Sequence, residues 1–334
     1  MKIIVPMAGR GSRLRPHTLT VPKPLVPVGG KPIVHRLVED IAALCSEPIE
    51  EIGFVIGDFG KEVEQELIQV AEKLGAKGSI HHQKDPLGTA HAVLCAGELL
   101  EGPVVVAFAD TLFKADFKID PETDGILWVK QIEDPSAFGV VQLNEKGEII
   151  DFVEKPKEFV SDLAMIGIYY FKNGSDLKKE LEYLVDNNVI KSGEYQLPDA
   201  LRRLTENGKR FRTGKVTEWL DCGNKDVTVH TNQRVLEFDQ EKGTMLVHNN
   251  HTHNSVIIPP CYIAEGVSIT DSVIGPHVSV GKDSVIENSV IKNSILQSNV
   301  QVKNANIKNS MIGNHAQYKA EAKDLSIGDY SVIH

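Results

Sequence analysis

A chain of 334 residues that is 41% hydrophobic, 25% charged and 6% aromatic has the balance of a folded globular protein, with room for one large domain and a smaller one. No apolar run approaches the roughly 18 residues of a membrane span, and Ile3 to Ala8 is too short and too near Met1 for a secretion signal, so no membrane partner and a cytoplasmic location are expected. The net charge of −10 gives no electrostatic case for a nucleic-acid partner.

Four cysteines, Cys45, Cys95, Cys222 and Cys261, lie far apart with no C-x-x-C pair, which suits buried apolar positions better than disulfides or a zinc site. The charge is unevenly spread. Met1 to Val38 holds Lys2, Arg10, Arg13, Arg15, Lys23, Lys31 and Arg36 but no acidic residue. A purely basic segment in an acidic protein points to a small, densely charged anion such as phosphate.

In chain order, Lys2 to Val5 reads as a strand, Pro32 to Leu44 as a helix, Ile52 to Ile56 as a strand and Lys61 to Leu74 as a helix. A strand near Ser79 to Gln83, a helix from Thr89 to Leu100 and an apolar strand Val104 to Ala109 continue the alternation. That pattern predicts an α/β, Rossmann-like sheet whose ligands sit at the carboxyl ends of its strands, where Gly9 and Asp110 both fall. Strands at Ile126 to Val129, Val140 to Leu143, Ile149 to Val153 and Ile166 to Phe171 make the sheet mixed. Helices near Leu177 to Val185 and Leu197 to Glu206, then a strand from Phe211 to Trp219, lead to Asp221, and Lys225 to Glu237 reads as a connecting helix.

From about Val256 an aliphatic residue returns every five or six positions: Ile257, Ile263, Ile269, Ile274, Val280, Ile286, Ile291, Leu296, Val302, Ile307 and Ile312. Neither the helical period nor simple alternation gives this spacing, whereas a triangular coil of about seventeen residues does. The pattern resembles the hexapeptide-repeat left-handed parallel β-helix. The expected division is a first domain at 1–235, a linker at 236–255 and the β-helix at 256–334.

The loop after the first strand reads Met7-Ala8-Gly9-Arg10-Gly11-Ser12-Arg13-Leu14-Arg15-Pro16, followed by Thr18 and Pro22-Lys23-Pro24-Leu25. Glycines at 9 and 11 let backbone N–H groups approach a phosphate, and Ser12, Arg13 and Lys23 add hydrogen bonds and charge. It is neither a Walker loop nor a dinucleotide G-x-G-x-x-G. It resembles the G-x-G-[ST]-R-L-x-P-x-T and P-K-P-L signature of the sugar-phosphate nucleotidyltransferases, or nucleoside-diphosphate-sugar pyrophosphorylases, with Ala8 where many members carry a further glycine. Further blocks follow in the family's order: Gln83 with Leu87-Gly88-Thr89-Ala90-His91-Ala92, Asp110, Phe138-Gly139-Val140, Val153-Glu154-Lys155-Pro156 and Trp219-Leu220-Asp221-Cys222-Gly223.

The resemblance implies a Mg²⁺-dependent reaction of a nucleoside triphosphate with a sugar 1-phosphate, giving a nucleotide sugar and pyrophosphate. A sugar 1-phosphate is already an anion, so its attack needs charge neutralisation and alignment more than a base. Asp110 and Asp221 are the expected metal ligands, since magnesium takes a few carboxylates plus water and phosphate oxygens. Arg13 is assigned to the departing β/γ phosphates, Lys23 to the α-phosphate and sugar phosphate, and Lys155 to the sugar phosphate. The nucleotide set is Ala8, Gly9, Gly11, Ser12, Gln83, Gly88 and Thr89. Gly139, Glu154 and Gly167 form the sugar set, with the Glu154 carboxylate accepting from hydroxyls. Gln83 offers both a donor and an acceptor, which suits thymine or uracil, so dTTP, then UTP, with glucose 1-phosphate is expected. Asp199 lies in Glu194 to Ala200, which resembles a family segment beside the sugar pocket.

Singly, these residues have plainer readings: an Asp after a strand is usually a turn or cap, and Lys155 before a proline is usually solvated. Their joint order argues against that. His248, His251 and His253 read as a solvated loop, with spacing unsuited to a metal. Two other functions remain open: an added acyl transfer in the β-helix using His277 or His315, and a sensing subunit without turnover. A stacked-coil domain also offers flat faces to a second copy, so a homo-oligomer is expected.

Overall fold

The structure, a computed structural model, describes every residue except 10, 46, 116–122, 245, 249, 322 and 333–334, so Arg10 lies outside the described residues. The chain divides into two compact units, Met1–Val26 with Pro32–Gly223, and Pro27–Lys31 with Asn224–His334.

In the first unit the strands are β1 (Lys2–Pro6), β2 (Glu51–Ile56), β3 (Lys77–His82), β4 (Val104–Ala107), β5 (Thr111–Lys114), β6 (Gly125–Gln131), β7 (Gly139–Leu143), β8 (Ile149–Glu154), β9 (Leu163–Phe171), β10 (Phe211–Lys215) and β11 (Glu218–Asp221). The main sheet runs β8-β7-β9-β4-β1-β2-β3, and β6 pairs with β9 and β10. β4, β1, β2 and β3 are parallel, while β9 is antiparallel to β4, β6 and β7, which makes the sheet mixed. Strand β1 lies between two neighbours, and Ile3, Ile4 and Val5 are fully buried, as an apolar run covered on both faces requires.

The helices of this unit are α1 (Ile33–Leu44), α2 (Lys61–Lys73), α3 (Thr89–Leu94), α4 (Gly174–Asp186) and α5 (Leu197–Glu206). Helix α4 starts where the Asn173 side chain accepts from Ser175 N–H, and α5 carries Pro198 in its first turn. Leu177, Leu181 and Leu184 of α4 and Leu197, Leu201 and Leu204 of α5 join one core with Val104, Val106, Leu127, Phe152 and Phe211 of the sheet.

Three elements differ from the sequence reading. The helix expected to run to Leu100 stops at Leu94 and gives way to a 3₁₀ turn at Gly97–Leu99, because glycine favours a break there. The strand expected from Phe211 to Trp219 is two strands. Thr217 N–H and Oγ1–H both donate to the Lys114 carbonyl, turning the chain so that β10 joins β6 in parallel while β11 joins β5 antiparallel. Strand β5, directly after Asp110, carried no separate signal, because the apolar run before it merges with it.

In the second unit, α6 (Lys225–Glu241) is capped by Asn224, whose side chain accepts from Asp226 and Val227 N–H. Three all-parallel sheets follow, of five, four and four strands, the arrangement of a hexapeptide-repeat left-handed β-helix. The expected aliphatics stack in register: Ile257, Ile274, Ile291 and Ile307 on one sheet, Ile263, Val280, Leu296 and Ile312 on the second, Ile269, Ile286 and Val302 on the third. Corners take left-handed φ at Asp271, Asp283, Asn288, Asn293, Asn299, Asn304 and Asn309, which short polar side chains tolerate. Asparagines at equivalent corners bond to one another, Asn288 to Asn304 at 2.9 Å and Asn293 to Asn309 at 2.8 Å.

The expected boundaries shift. The chain divides after Gly223 rather than at 235, and the stretch read as a linker, 236–255, contains the end of α6 and a first coil strand, His251–His253. Contacts decide this: the Asn232 side chain accepts from Gly29 N–H at 2.8 Å and from Ser279 Oγ at 2.7 Å, within the second unit. His251 and His253 are thus on an exposed strand rather than a loop, and His248 lies edge-on to Tyr262. Cys222 and Cys261 are buried as expected, while Cys45 and Cys95 are only half-buried, and none of the four forms a disulfide among the described residues.

Candidate functional site

The chain leaves β1 into the glycine loop. Gly11 has φ +59, and a Cβ there would stand 2.8 Å from the Lys23 Cβ and 3.2 Å from Thr18 Cγ2, so only glycine fits. Thr18 Oγ1–H donates to the Gly11 carbonyl at 2.7 Å and folds the loop back on itself. Ser12–Leu14 forms a 3₁₀ turn anchored by buried Leu14, which leaves Arg13 exposed. The second turn, Lys23–Leu25, buries Lys23, and its ammonium lies 3.3 Å from Asp110 Oδ2.

These residues open into a cleft of about 340 Å³ at the carboxyl ends of β1 and β4. Every residue of the expected nucleotide set lines it: Ala8, Gly9, Gly11, Ser12, Gln83, Gly88 and Thr89, together with Arg13, Lys23 and Asp110. A Cβ at Gly9 would meet nothing within 4 Å, so that backbone faces open space. Glu194 and Gly223 also line the cleft, and the sequence reading gave neither of them a role.

The two aspartates meet on the β5–β11 ribbon. Asp221 pairs in register with Thr111, the residue after Asp110, and Cys222 N–H donates to the Asp110 carbonyl at 3.1 Å. Burial pushes the Asp221 carboxyl above its usual range; Lys23 opposes that shift, Asp110 reinforces it, and the Gly223 N–H and Arg13 oppose it more weakly. A Cβ at Gly223 would stand 2.9 Å from Asp221 Oδ2, which explains a glycine two residues after this aspartate. A carboxylate whose charge is disfavoured by burial and by a neighbouring aspartate suits a divalent cation. Among the described residues no third His, Cys, Asp or Glu joins them, so the remaining ligands of such a cation would be water and phosphate oxygens.

Gln83 is buried, and its amide nitrogen donates to the Gly88 carbonyl at 3.1 Å and meets His91 Nδ1 at 3.1 Å. Burial holds the His91 pKa below its ordinary value, with Asp85 opposing, which keeps the ring neutral at neutral pH; the Gln83 amide nitrogen can only donate, so the contact assigns the tautomer in which Nδ1 accepts. The sequence reading gave Gln83 both a donor and an acceptor for the base. In the fold the donor is engaged within the protein, which leaves the carbonyl oxygen as the unengaged end of the amide. His91 carries no signal of its own in that segment; only the folded helix α3 brings it against Gln83.

The sugar set lies on other strands, outside the residues that line this cleft. Gly139 opens β7 and pairs with Glu154 at the end of β8, and a Cβ at 139 would stand 2.8 Å from Glu154 Oε2. Partial burial raises the Glu154 pKa; Lys155 opposes this, and Glu194 and Asp199 add to it. Lys155 is largely exposed and has φ 45°, a backbone conformation that costs an L-residue about 1–2 kcal/mol. Gly167, at φ +83, sits in an irregularity of β9, and its carbonyl accepts from N–H of the cleft residue Phe108 at 2.9 Å. Phe138, beside Gly139, packs edge-on to Trp219 with centroids 4.7 Å apart, and Trp219 Nε1–H donates to Thr111 Oγ1. That contact ties the sugar strands to the aspartate ribbon.

A glycine-lined cleft at parallel strand ends, with two aspartates, a lysine and an arginine around one end, defines a class of protein that transfers nucleotidyl groups. The family model for nucleotidyl transferases matches residues 2–237, and the chain belongs to that family. Among its relatives, the glucose-1-phosphate thymidylyltransferase of Streptomyces griseus is 30% identical over 308 residues, covering 86% of this chain and 84% of that protein. A bifunctional protein GlmU of Methanococcus vannielii is 30% identical over 275 residues, 80% of this chain and 62% of that longer protein. A crystal structure of UDP-glucose pyrophosphorylase complexed with UDP-glucose superposes with a TM-score of 0.57 at 25% identity, covering 71% of this chain and 98% of that one. The reaction is the family's: a nucleoside triphosphate and a sugar 1-phosphate exchange with a nucleoside-diphosphate sugar and pyrophosphate.

The residues read as a possible second catalytic centre are differently placed. His277 Nε2 lies 3.0 Å from Glu237 Oε1, and His315 is an exposed coil corner. No helix among the described residues is long and apolar enough to cross a membrane.

Proposed function

We propose that the chain joins a thymine or uracil nucleotide to glucose 1-phosphate, with dTTP preferred, UTP second and Mg²⁺ as the cofactor. The observation that carries the base preference is the held Gln83 amide, whose free carbonyl oxygen suits a base with an N3–H donor. Thymine and uracil have that proton flanked by two carbonyls, to one of which the Gly88 N–H can donate; cytosine has an acceptor at N3. The similarity to the glucose-1-phosphate thymidylyltransferase of Streptomyces griseus and to UDP-glucose pyrophosphorylase supports the glucose choice.

In the proposed reaction a sugar-phosphate oxygen attacks the α-phosphorus, the bond to the β-phosphate bridge breaks, and pyrophosphate leaves. Lys23, buried beside Asp110, neutralises the α-phosphate and the incoming phosphate, and Arg13 at the mouth takes the departing β/γ phosphates. Exposed Lys155 receives the sugar phosphate, and Glu154 accepts from sugar hydroxyls. Asp110 and Asp221 would hold Mg²⁺, which supplies charge neutralisation and a template for the triphosphate. Four cysteines outside any disulfide suit a reducing cytoplasm, and the flat coil faces suit a homo-oligomer.

The test is pyrophosphate release with Mg²⁺ from dTTP, UTP, CTP and GTP, each against glucose, galactose, mannose and N-acetylglucosamine 1-phosphates. The expected maximum is dTTP with glucose 1-phosphate. A preference for CTP or GTP over both dTTP and UTP overturns the base assignment, and a preference for another sugar overturns the glucose assignment. A further arm with acetyl-CoA and an amino-sugar 1-phosphate reads free CoA, and none is expected.

A further inference from the structure

Helix α5 begins at a junction of two parts of the site. Tyr195 N–H donates to the Leu87 carbonyl at 2.8 Å, Ala90 N–H donates to the Tyr195 carbonyl at 3.0 Å, and Leu197 N–H donates to Thr89 Oγ1 at 2.9 Å. The start of the helix is therefore stapled to the loop that holds Gly88 and Thr89. A Cβ on Gly88 would stand 2.5 Å from the Tyr195 carbonyl oxygen, so the staple is as close as backbone allows.

Inside the first turn, Asp199 is 7% exposed. Its Oδ1 receives both the Lys191 ammonium and Arg202 Nη1, the latter at 3.1 Å, while its Oδ2 is buried with no hydrogen-bond partner. Arg202 then spans to strand β8: Nε donates to Asp151 Oδ1 at 2.8 Å and Nη2 donates to the Phe152 carbonyl. Two residues beyond Phe152, the strand ends at Glu154. A buried carboxylate with one unsatisfied oxygen is costly, and a packed apolar residue would hold a helix to a strand at lower cost. The charge therefore calls for a role other than packing.

We propose that Asp199 is a positioning residue for nucleotidyl transfer: through Arg202 it fixes the end of strand β8, and with it Glu154, to the loop that reads the base. The inference rests on the assignment of Glu154 to the sugar. It has an electrostatic signature that simple packing lacks. The charged groups set against Glu154 are Lys155 on its own strand end, Glu194 before α5, and Asp199 in it, with the buried Tyr169 phenol of β9 on the sheet side. Asp199 and Glu194 oppose the ionisation of Glu154, and Lys155 favours it. Removing the Asp199 charge must therefore shift Glu154 ionisation to lower pH.

The experiment is steady-state kinetics of the full chain and of Asp199→Asn, with Mg²⁺, dTTP and glucose 1-phosphate across the acid range. The expected result is a rise in KM for the sugar phosphate of about tenfold, with KM for dTTP changed by less than about twofold. The acid limb of kcat/KM for the sugar phosphate should also move to lower pH. Arg202→Gln should raise the sugar KM similarly, and the double variant should be no worse than either single one. Should Asp199→Asn fail to fold, Asp151→Ala, at a more exposed position, removes the acceptor of the Arg202 Nε bond and must still raise the sugar KM. An unmoved acid limb, or equal rises in both KM values, overturns the inference while normal wild-type turnover leaves the proposed function standing. Wild-type protein that releases no pyrophosphate overturns the function first and the inference with it.

Discussion

The two units of this chain use their residues in opposite ways. In the first, the proposed chemistry is concentrated: Arg13, Lys23 and Asp110 line one cleft, Asp221 is paired to the strand that follows Asp110, and each is assigned a distinct job. In the second, the load is shared among repeated positions, so that Ile269, Ile286 and Val302 do the same work in successive coils. One region is sensitive in rate, the other in stability, because a catalytic group has no substitute while a stacked aliphatic has neighbours on both sides.

The largest effect expected from this contrast is in the first unit. Asp110→Asn keeps the shape but removes a charge from the proposed cation site, and kcat should fall by roughly 10²–10³-fold with the thermal melting point little changed. An activity within a factor of a few of the wild type would break the assignment. In the coil, Ile286→Ala removes a fully buried side chain and should cost about 2–5 kcal/mol in denaturant unfolding of that region. Sharpening the same comparison, Asn304→Ala puts an ordinary residue at φ 55° and breaks the bond to Asn288, for about 1–2 kcal/mol, whereas Asn304→Gly should cost less.

The smallest effect returns to the cleft. His91→Phe leaves the Gln83 amide held only by the Gly88 carbonyl, and discrimination between dTTP and dCTP should weaken by roughly 5–10-fold. The wild type should show the same loss on acidification. Because burial lowers the His91 pKa, the ring is neutral in both folded and unfolded chains above the ordinary histidine value, and full discrimination is kept there. As pH falls through the lowered folded value, Nδ1 gains a proton, ceases to accept from Gln83, and discrimination should decline. Nucleotide selectivity measured from neutral to acid pH checks the direction, and a flat profile would remove His91 from the account.

Much of the first unit was readable because its signals are local. The glycine loop, the strand before it and the strand before Asp110 are each short contiguous patterns, and the residues expected to meet the nucleotide all line one cleft. The donor state of Gln83 was not readable, since its partners are a carbonyl five residues on and a ring eight residues on, brought together by a turn and a helix. Nor was the break at Val216 and Thr217, where an extended-looking run divides between two sheets because Lys114 offers a carbonyl to Thr217.

The sequence by itself determined the periodic features: the alternation that builds a parallel core and the five-to-six-residue aliphatic repeat that closes into a triangular coil. Such features are set by side-chain spacing along the backbone, and every turn of the chain repeats the instruction. Only the tertiary structure decided what the long-range pairs do. The register of β5 against β11 sets Asp221 beside Asp110, Arg202 carries Asp199 to strand β8, and Asn232 draws Gly29 into the second unit. Those contacts join residues as many as 203 positions apart, and their energy depends on geometry that no local pattern encodes.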